Sequence, residues 1–206
     1  MNIAFDIDGV IANTESAIRT EILKQTGHDI GDSLSQFDFP VPEYSKAEIY
    51  NMIQMGIENY TDSIKPYDGA IDAVNKIYYS RDKTRPITFI TSRPESILKD
   101  ETHDWLNKYF PTMRYKVIFA SDKRKYILDN EISVFVEDRL KNANDISPIV
   151  TAVYLVNRSW NIGRDHAWNV IRVDSVEEAV DKFIGGEKFS MISRDPKILN
   201  FKKYKI

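Results

Sequence analysis

The sequence contains no cysteine. Disulfides and thiolate metal sites are thereby excluded, and a reducing compartment, the cytoplasm, is the natural expectation. No apolar run approaches the roughly 20 residues that a membrane span needs, so no membrane association is expected. The opening residues Met1-Asn2-Ile3-Ala4-Phe5-Asp6 carry no basic stretch and meet an acid at once, which does not suit a signal peptide. A net charge of −3 provides no global positive field to attract nucleic acid. Histidine is scarce, and His28, His103 and His166 show no ligand spacing. Aromatics are plentiful, with 11 Tyr, 10 Phe and 3 Trp, and most of them suit a core.

At 206 residues the chain fits one domain, or one domain with a sizeable insertion. A chain of this length buries roughly 70% of its unfolded surface and needs no staples. Short runs rich in β-branched and aromatic residues recur at Ile3–Phe5, Ile87–Ile90, Tyr115–Ala120, Val134–Val136, Val153–Val156 and Val170–Val173. Such runs read as strands buried on both faces. Helical patterns lie between most of them. One carries Ile97, Leu98, Trp105, Leu106 and Tyr109 behind Pro94, one spans Lys123 to Asn130, and one opens on a capping box at Ser175-Val-Glu-Glu178. The alternation predicts an α/β fold, a doubly wound parallel sheet with helices on both faces.

Residues 13–65 break that alternation. A helix is expected from about Thr14 to Thr26, with Gly27 ending it. A second opens on the capping box Ser45-Lys-Ala-Glu48 and carries Ile49, Met52, Ile53 and Ile57 on one stripe. This segment reads as a small helical cap inserted after the first strand. The core then comprises residues 1–12 and 66–184, and 185–206 form a basic tail. The tail reads as a solvated extension or as a contact with a partner, including a second copy in a homodimer.

In an open parallel sheet, ligands bind beyond the carboxyl ends of the strands. Here the first strand ends in Asp6-Ile-Asp8-Gly9, the second in Thr91-Ser92-Arg93 and the fourth in Glu137-Asp138, while the third leads into Ser121-Asp122-Lys123. Clustered acids repel one another, and buried unpaired charge is costly. A divalent cation relieves this, and oxygen ligands without Cys or His suit Mg²⁺. The hydroxyls and the lysine are natural donors to a phosphate. A carboxylate can attack phosphorus and divide one hard displacement into two. Gly9 permits a sharp turn and a close approach to substrate.

Taken together, these residues resemble the haloacid dehalogenase-like (HAD) phosphatases, which carry Asp-x-Asp after the first strand. Asp6-Ile-Asp8-Gly-Val-Ile-Ala12, Thr91-Ser-Arg-Pro94, Val136-Glu-Asp-Arg139 and Val156-Asn-Arg-Ser-Trp-Asn161 are similar to the 5′(3′)-deoxyribonucleotidase group. The group has two Asp residues where this chain has Glu137-Asp138, so Asp138 carries more weight as a ligand. The resemblance implies a Rossmann-like core with strand order 3-2-1-4-5. It implies Asp6 as nucleophile and metal ligand, and Asp8 as proton donor and then base, its backbone carbonyl facing the metal. Thr91 and Ser92 would hold the phosphate, Lys123 rather than Lys125 would neutralise it, and Asp138, with Glu137, would bind Mg²⁺. Arg93, Arg158 and Trp160 lie beyond strand ends as further substrate-binding candidates. Phe37, Phe39, Tyr44 and Tyr67 could form an apolar slot for a base, or simply pack the cap. The expected substrate is a small phosphorylated molecule, a nucleoside monophosphate. A sugar phosphate or a nucleic-acid 3′-phosphate is the alternative, and a catalytically silent binding module lies further off.

Overall fold

The computed structural model describes residues 1–31, 41, 43–163 and 165–186. Phe37, Phe39 and the tail beyond Gly186 lie outside the described residues. Among the described residues, no helix is long and apolar enough to cross a membrane.

Six strands form one parallel sheet: β1 (Ile3–Phe5), β2 (Ile87–Thr91), β3 (Tyr115–Phe119), β4 (Val134–Glu137), β5 (Ala152–Val156) and β6 (Val170–Val173). Their order is β3-β2-β1-β4-β5-β6, which extends the expected 3-2-1-4-5 by one edge strand. Burial explains the order. Every residue of β1, β2, β4 and β5 is buried, whereas β3 and β6, at the edges, mix buried with partly exposed positions. Exposed Lys116 on β3 also guards that edge against pairing.

Seven α-helices accompany the sheet among the described residues: α1 (Glu15–Thr26), α2 (Lys46–Tyr60), α3 (Ala70–Ser80), α4 (Glu95–Tyr109), α5 (Arg124–Asp129), α6 (Leu140–Ile146) and α7 (Val176–Ile184). Strand side chains alternate between two apolar layers. Val134 and Val136 of β4 join Val74 of α3, Leu106 of α4 and Val180 of α7. Phe135, between them, joins Ile127 of α5 and Ile146 of α6 on the opposite face. The sheet is therefore covered on both faces, as the alternation required.

Helices α1 and α2 lie between β1 and β2 and pack on each other. Gly27 ends α1 at φ 71°, its N–H donating to the Leu23 carbonyl. The Ser45 hydroxyl accepts from the Glu48 amide while the Glu48 carboxylate accepts from the Ser45 amide, so the expected capping box starts α2. Gly56 lets the pair approach: a Cβ there would sit 3.0 Å from the Ala17 carbonyl oxygen and 3.1 Å from Ile18 Cα. The chain returns to the sheet through Pro66, bridged to Ala12, with the Tyr67 N–H donating to the Ile11 carbonyl at 2.9 Å.

Candidate active site

The strand order reverses at β1, where the chain runs to β2 on one side and returns to β4 on the other. The crevice at a sheet's switch point is where the acids meet. The Asp6 N–H continues the ladder to the Val136 carbonyl at 2.9 Å, which sets Asp6 beside Glu137 and Asp138. Ligand oxygens of these three buried acids lie within 4.8 Å of one another.

Lys123, at the head of α5, is buried against them. Its ammonium donates to Asp6 Oδ2 and, at 2.9 Å, to Glu137 Oε2. Lys125 is exposed, and Asp122 pairs outward with Arg124 at 2.7 Å. Glu137 is fully engaged. Its Oε1 accepts from the Asp138 and Arg139 amides, and its Oε2 also accepts from Asn142. Asp138 is different: Oδ2 accepts from the Trp160 indole at 2.9 Å, while buried Oδ1 has no partner among the described residues.

The charges do not balance. Three carboxylates face one ammonium, which leaves two negative charges if all are ionised. Burial, opposed by Lys123, pushes the Asp6 carboxyl up to about 8. Burial, reinforced by Glu137 and Asp6, raises Asp138 well above the usual carboxylate range. Burial disfavours the Glu137 anion as well, but Lys123, the neighbouring Asp138 carboxyl and the Arg139 amide hold this group down at about 2. The Lys123 ammonium is kept charged against its burial by Asp6 and Glu137.

Asp8 stands apart. Its carboxylate, one quarter exposed, turns to Arg93, whose Nη2 donates to Oδ1 at 2.7 Å and whose Nε donates to Oδ2 at 2.9 Å. Gly9 follows at φ 74°, and a Cβ there would lie 2.2 Å from Asp138 Oδ2. Gly9 thus allows a close approach to Asp138 and the Trp160 ring.

Above the acids lies a cavity of about 320 Å³. Asp6, Asp8, Ser92, Arg93, Asp138 and Arg139 form its floor. The roof is apolar, with Ile18 of α1, Tyr44, and Ile49, Tyr50, Ile53 and Ile57 of α2. Lys46 and Gln54 of α2 add polar groups to it, and the Gln54 Oε1 is buried without a partner among the described residues.

Of the substrate-binding candidates, Ser92 and Arg93 line this cavity, whereas Thr91, Arg158 and Trp160 do not. Thr91 is buried, and its hydroxyl accepts from the Arg93 N–H at 3.2 Å. Arg158 donates to the Gly9 carbonyl at 2.7 Å and lies 3.7 Å over the Tyr67 ring, so it braces the loop after β1 against the returning chain. Trp160 braces Asp138. Tyr44 joins the roof, and Tyr67 is taken by Arg158. Gln54 and Thr102 escaped the sequence reading. Gln54 falls on the helical stripe Lys46, Ile49, Tyr50, Ile53, Gln54, Ile57, a signal present in the spacing. A threonine inside a polar helix turn, such as Thr102, gives none.

Comparison with known proteins agrees with this architecture. No curated protein matches the sequence. The haloacid dehalogenase-like hydrolase from Xanthomonas campestris aligns at TM-score 0.54 and 16% identity, covering 90% of this chain and 97% of that one. CbbY from Rhodobacter sphaeroides, solved in complex with phosphate, aligns at 0.54 and 13%, covering 86% and 95%. The L-2-haloacid dehalogenase from Xanthobacter autotrophicus aligns at 0.54 and 11%, covering 90% and 98%. At such identities these likenesses establish the fold. The family profile "5′ nucleotidase, deoxy (Pyrimidine), cytosolic type C protein" matches residues 1–188. The chain therefore belongs to this nucleotidase family, within the haloacid dehalogenase-like hydrolases, and is a phosphatase of that kind.

Proposed function

We propose that the protein hydrolyses nucleoside monophosphates, with deoxyribonucleotides the expected class, through an aspartyl-phosphate on Asp6 and with Mg²⁺ as cofactor. The observation that carries this reading is the unbalanced floor: a carboxylate held by Lys123 beside an acid, Asp138, with an unpartnered oxygen. The donor set is all oxygen and, when all three acids are ionised, two negative charges in excess, which fits one hard divalent cation. Asp6 and Asp138 would hold the ion, and Glu137, already engaged on both oxygens, anchors Lys123. The ion, when bound, supplies charge neutralisation at the phosphoryl oxygens.

The residues divide the reaction as follows. An Asp6 carboxylate oxygen attacks phosphorus as the ester P–O bond breaks, and the departing alkoxide takes a proton from Asp8. Water then attacks the aspartyl-phosphate, giving a proton back to Asp8 and releasing inorganic phosphate from regenerated Asp6. The Lys123 ammonium and donors of Ser92 face the phosphoryl charge.

Helices α1 and α2 act as a cap over the leaving group. A small apolar roof with one unsatisfied amide suits a planar group with polar edges, as a nucleobase has. A cytoplasmic site of action accompanies this reading, in line with the family's description as cytosolic. The test is a screen of phosphate release across nucleoside monophosphates and sugar phosphates, with and without Mg²⁺. Release from dUMP or dTMP that requires Mg²⁺ and vanishes in Asp6→Asn is expected. Release from sugar phosphates alone would overturn the substrate class.

A further inference from the structure

Arg93 is expected from its position to touch substrate, yet its guanidinium is almost fully enclosed, with only 1% of the side chain exposed. A buried guanidinium must spend its donors on fixed partners. Nε and Nη2 go to both oxygens of Asp8. Nη1 goes to the Thr102 hydroxyl at 3.1 Å. Thr102 is itself wholly buried, and it donates to the Leu98 carbonyl one turn earlier in α4. A hydroxyl has one proton to give, so with that proton committed its lone pairs are left for Arg93.

Helix α4 is a firm base for this chain of contacts. It kinks at Leu98 (φ −114°, ψ 18°), where the Thr102 hydroxyl takes up the carbonyl. Three residues beyond, the buried Trp105 indole donates to the Ile64 carbonyl at 2.9 Å, on the chain returning from α2. Asp8 follows a three-residue strand on a glycine turn, and its side chain has no other hydrogen-bond partner among the described residues. Its aim is thus set from α4.

We propose that Arg93 and Thr102 are positioning residues that aim the Asp8 carboxylate at the leaving-group oxygen, with neither binding the phosphate. This rests on the reading of Asp8 as the proton donor. A misplacement of about 1 Å can cost on the order of 100-fold in rate. Loss of the Thr102 anchor alone, with Arg93 still on Asp8, should cost about tenfold.

The test compares two leaving groups in the first turnover, with enzyme in excess over substrate and Mg²⁺ present. A nucleotide such as dTMP leaves as an alkoxide and needs the proton, whereas p-nitrophenyl phosphate leaves as a stable phenolate and does not. Thr102→Val should slow nucleoside release about tenfold and leave nitrophenolate release within about twofold of wild type. Thr102→Ser, which keeps the hydroxyl, should restore the nucleotide rate. Arg93→Lys should show the same selective loss, more strongly, because one ammonium cannot reproduce the fork. Equal loss on both substrates, or failure of Thr102→Ser to rescue in a protein that melts normally, would overturn the proposal. Wild-type enzyme that releases nitrophenolate but no nucleoside would instead overturn the substrate reading. Another alkyl phosphate that the enzyme accepts then serves as the first arm.

Discussion

The floor and the roof of the cavity are built on opposite plans. Around the floor, Asp6, Asp8, Glu137, Lys123 and Arg93 each hold a named charged partner, whereas Asp138 Oδ1 has no hydrogen-bond partner among the described residues. Its atoms are placed by strand ends fixed in a parallel ladder. In the roof, α1 and α2 present mostly aliphatic and tyrosine side chains whose positions depend on packing, with Lys46 at the start of α2 and with the Gln54 amide oxygen lacking a partner among the described residues. The difference teaches where change is tolerated. Removing a floor residue strands a buried charge, whereas removing a roof residue leaves a gap that neighbours can partly fill.

The largest break in this comparison is Lys123→Met. It strips the one cation that, among the described residues, pairs within this group of three buried acids, so a loss of about 3–5 kcal/mol is expected, along with phosphatase activity. Urea unfolding of the purified variant reads the first. A change under 1 kcal/mol would mean the acids do not depend on that ammonium.

A second test uses pH, and the signs differ within the floor. Asp6 and Asp138 have raised values in the folded chain, so folded protein holds protons that the unfolded chain releases. The Asp6 contribution is complete below the ordinary 3.8 and is lost as pH rises through about 8; that of Asp138 is lost in the same direction, as pH rises. Glu137, held at about 2, contributes in the opposite sense: its stabilisation is present above 4.5 and lost as pH falls toward 2. A divalent cation competes with the protons on Asp6 and Asp138. Excess Mg²⁺ should therefore raise the melting temperature more at pH 8 than at pH 5.5. An equal or reversed shift would count against Mg²⁺ binding at these acids.

Two roof substitutions should have smaller effects. Alanine for Gly56 gains about 1 kcal/mol of helix propensity but meets the α1 backbone, at a cost of about 1–3 kcal/mol. A net loss of up to about 2 kcal/mol follows, measured as a lower denaturant midpoint, with the floor's chemistry retained. Gln54→Leu removes a buried amide oxygen that has no partner among the described residues. It should leave stability unchanged or slightly higher and raise KM for nucleotides about tenfold, the worth of one hydrogen bond of about 1.4 kcal/mol, while KM for p-nitrophenyl phosphate stays put. An unchanged nucleotide KM would remove Gln54 from substrate recognition.

The same contrast explains what was legible in the sequence. Buried parallel strands are continuous apolar runs, so all six could be read, and the acids and lysine follow from where those runs end. The capping box at Ser45 and the stop at Gly27 are local chemistry and were equally readable. Partnerships across the fold were not. Nothing near Arg93 signals that its guanidinium turns back to Asp8, 85 residues earlier, and nothing near Trp160 announces Asp138. Arg158 and Trp160 sit beyond a strand end, as ligands do, yet they brace the loop that carries the acids. Position along a strand tells which side chains reach the crevice but not which of them face outward once there.

Gly9 carries that lesson into sequence variation. Its missing Cβ is the space that the Asp138 carboxylate occupies. Two positions well over a hundred residues apart are thus one steric unit, and neither can vary freely. A protein of this architecture with a larger residue at the Gly9 position must have lost, shortened or displaced the acid at the Asp138 position. The pair is therefore a readable mark, in sequence alone, of which relatives still keep this oxygen site.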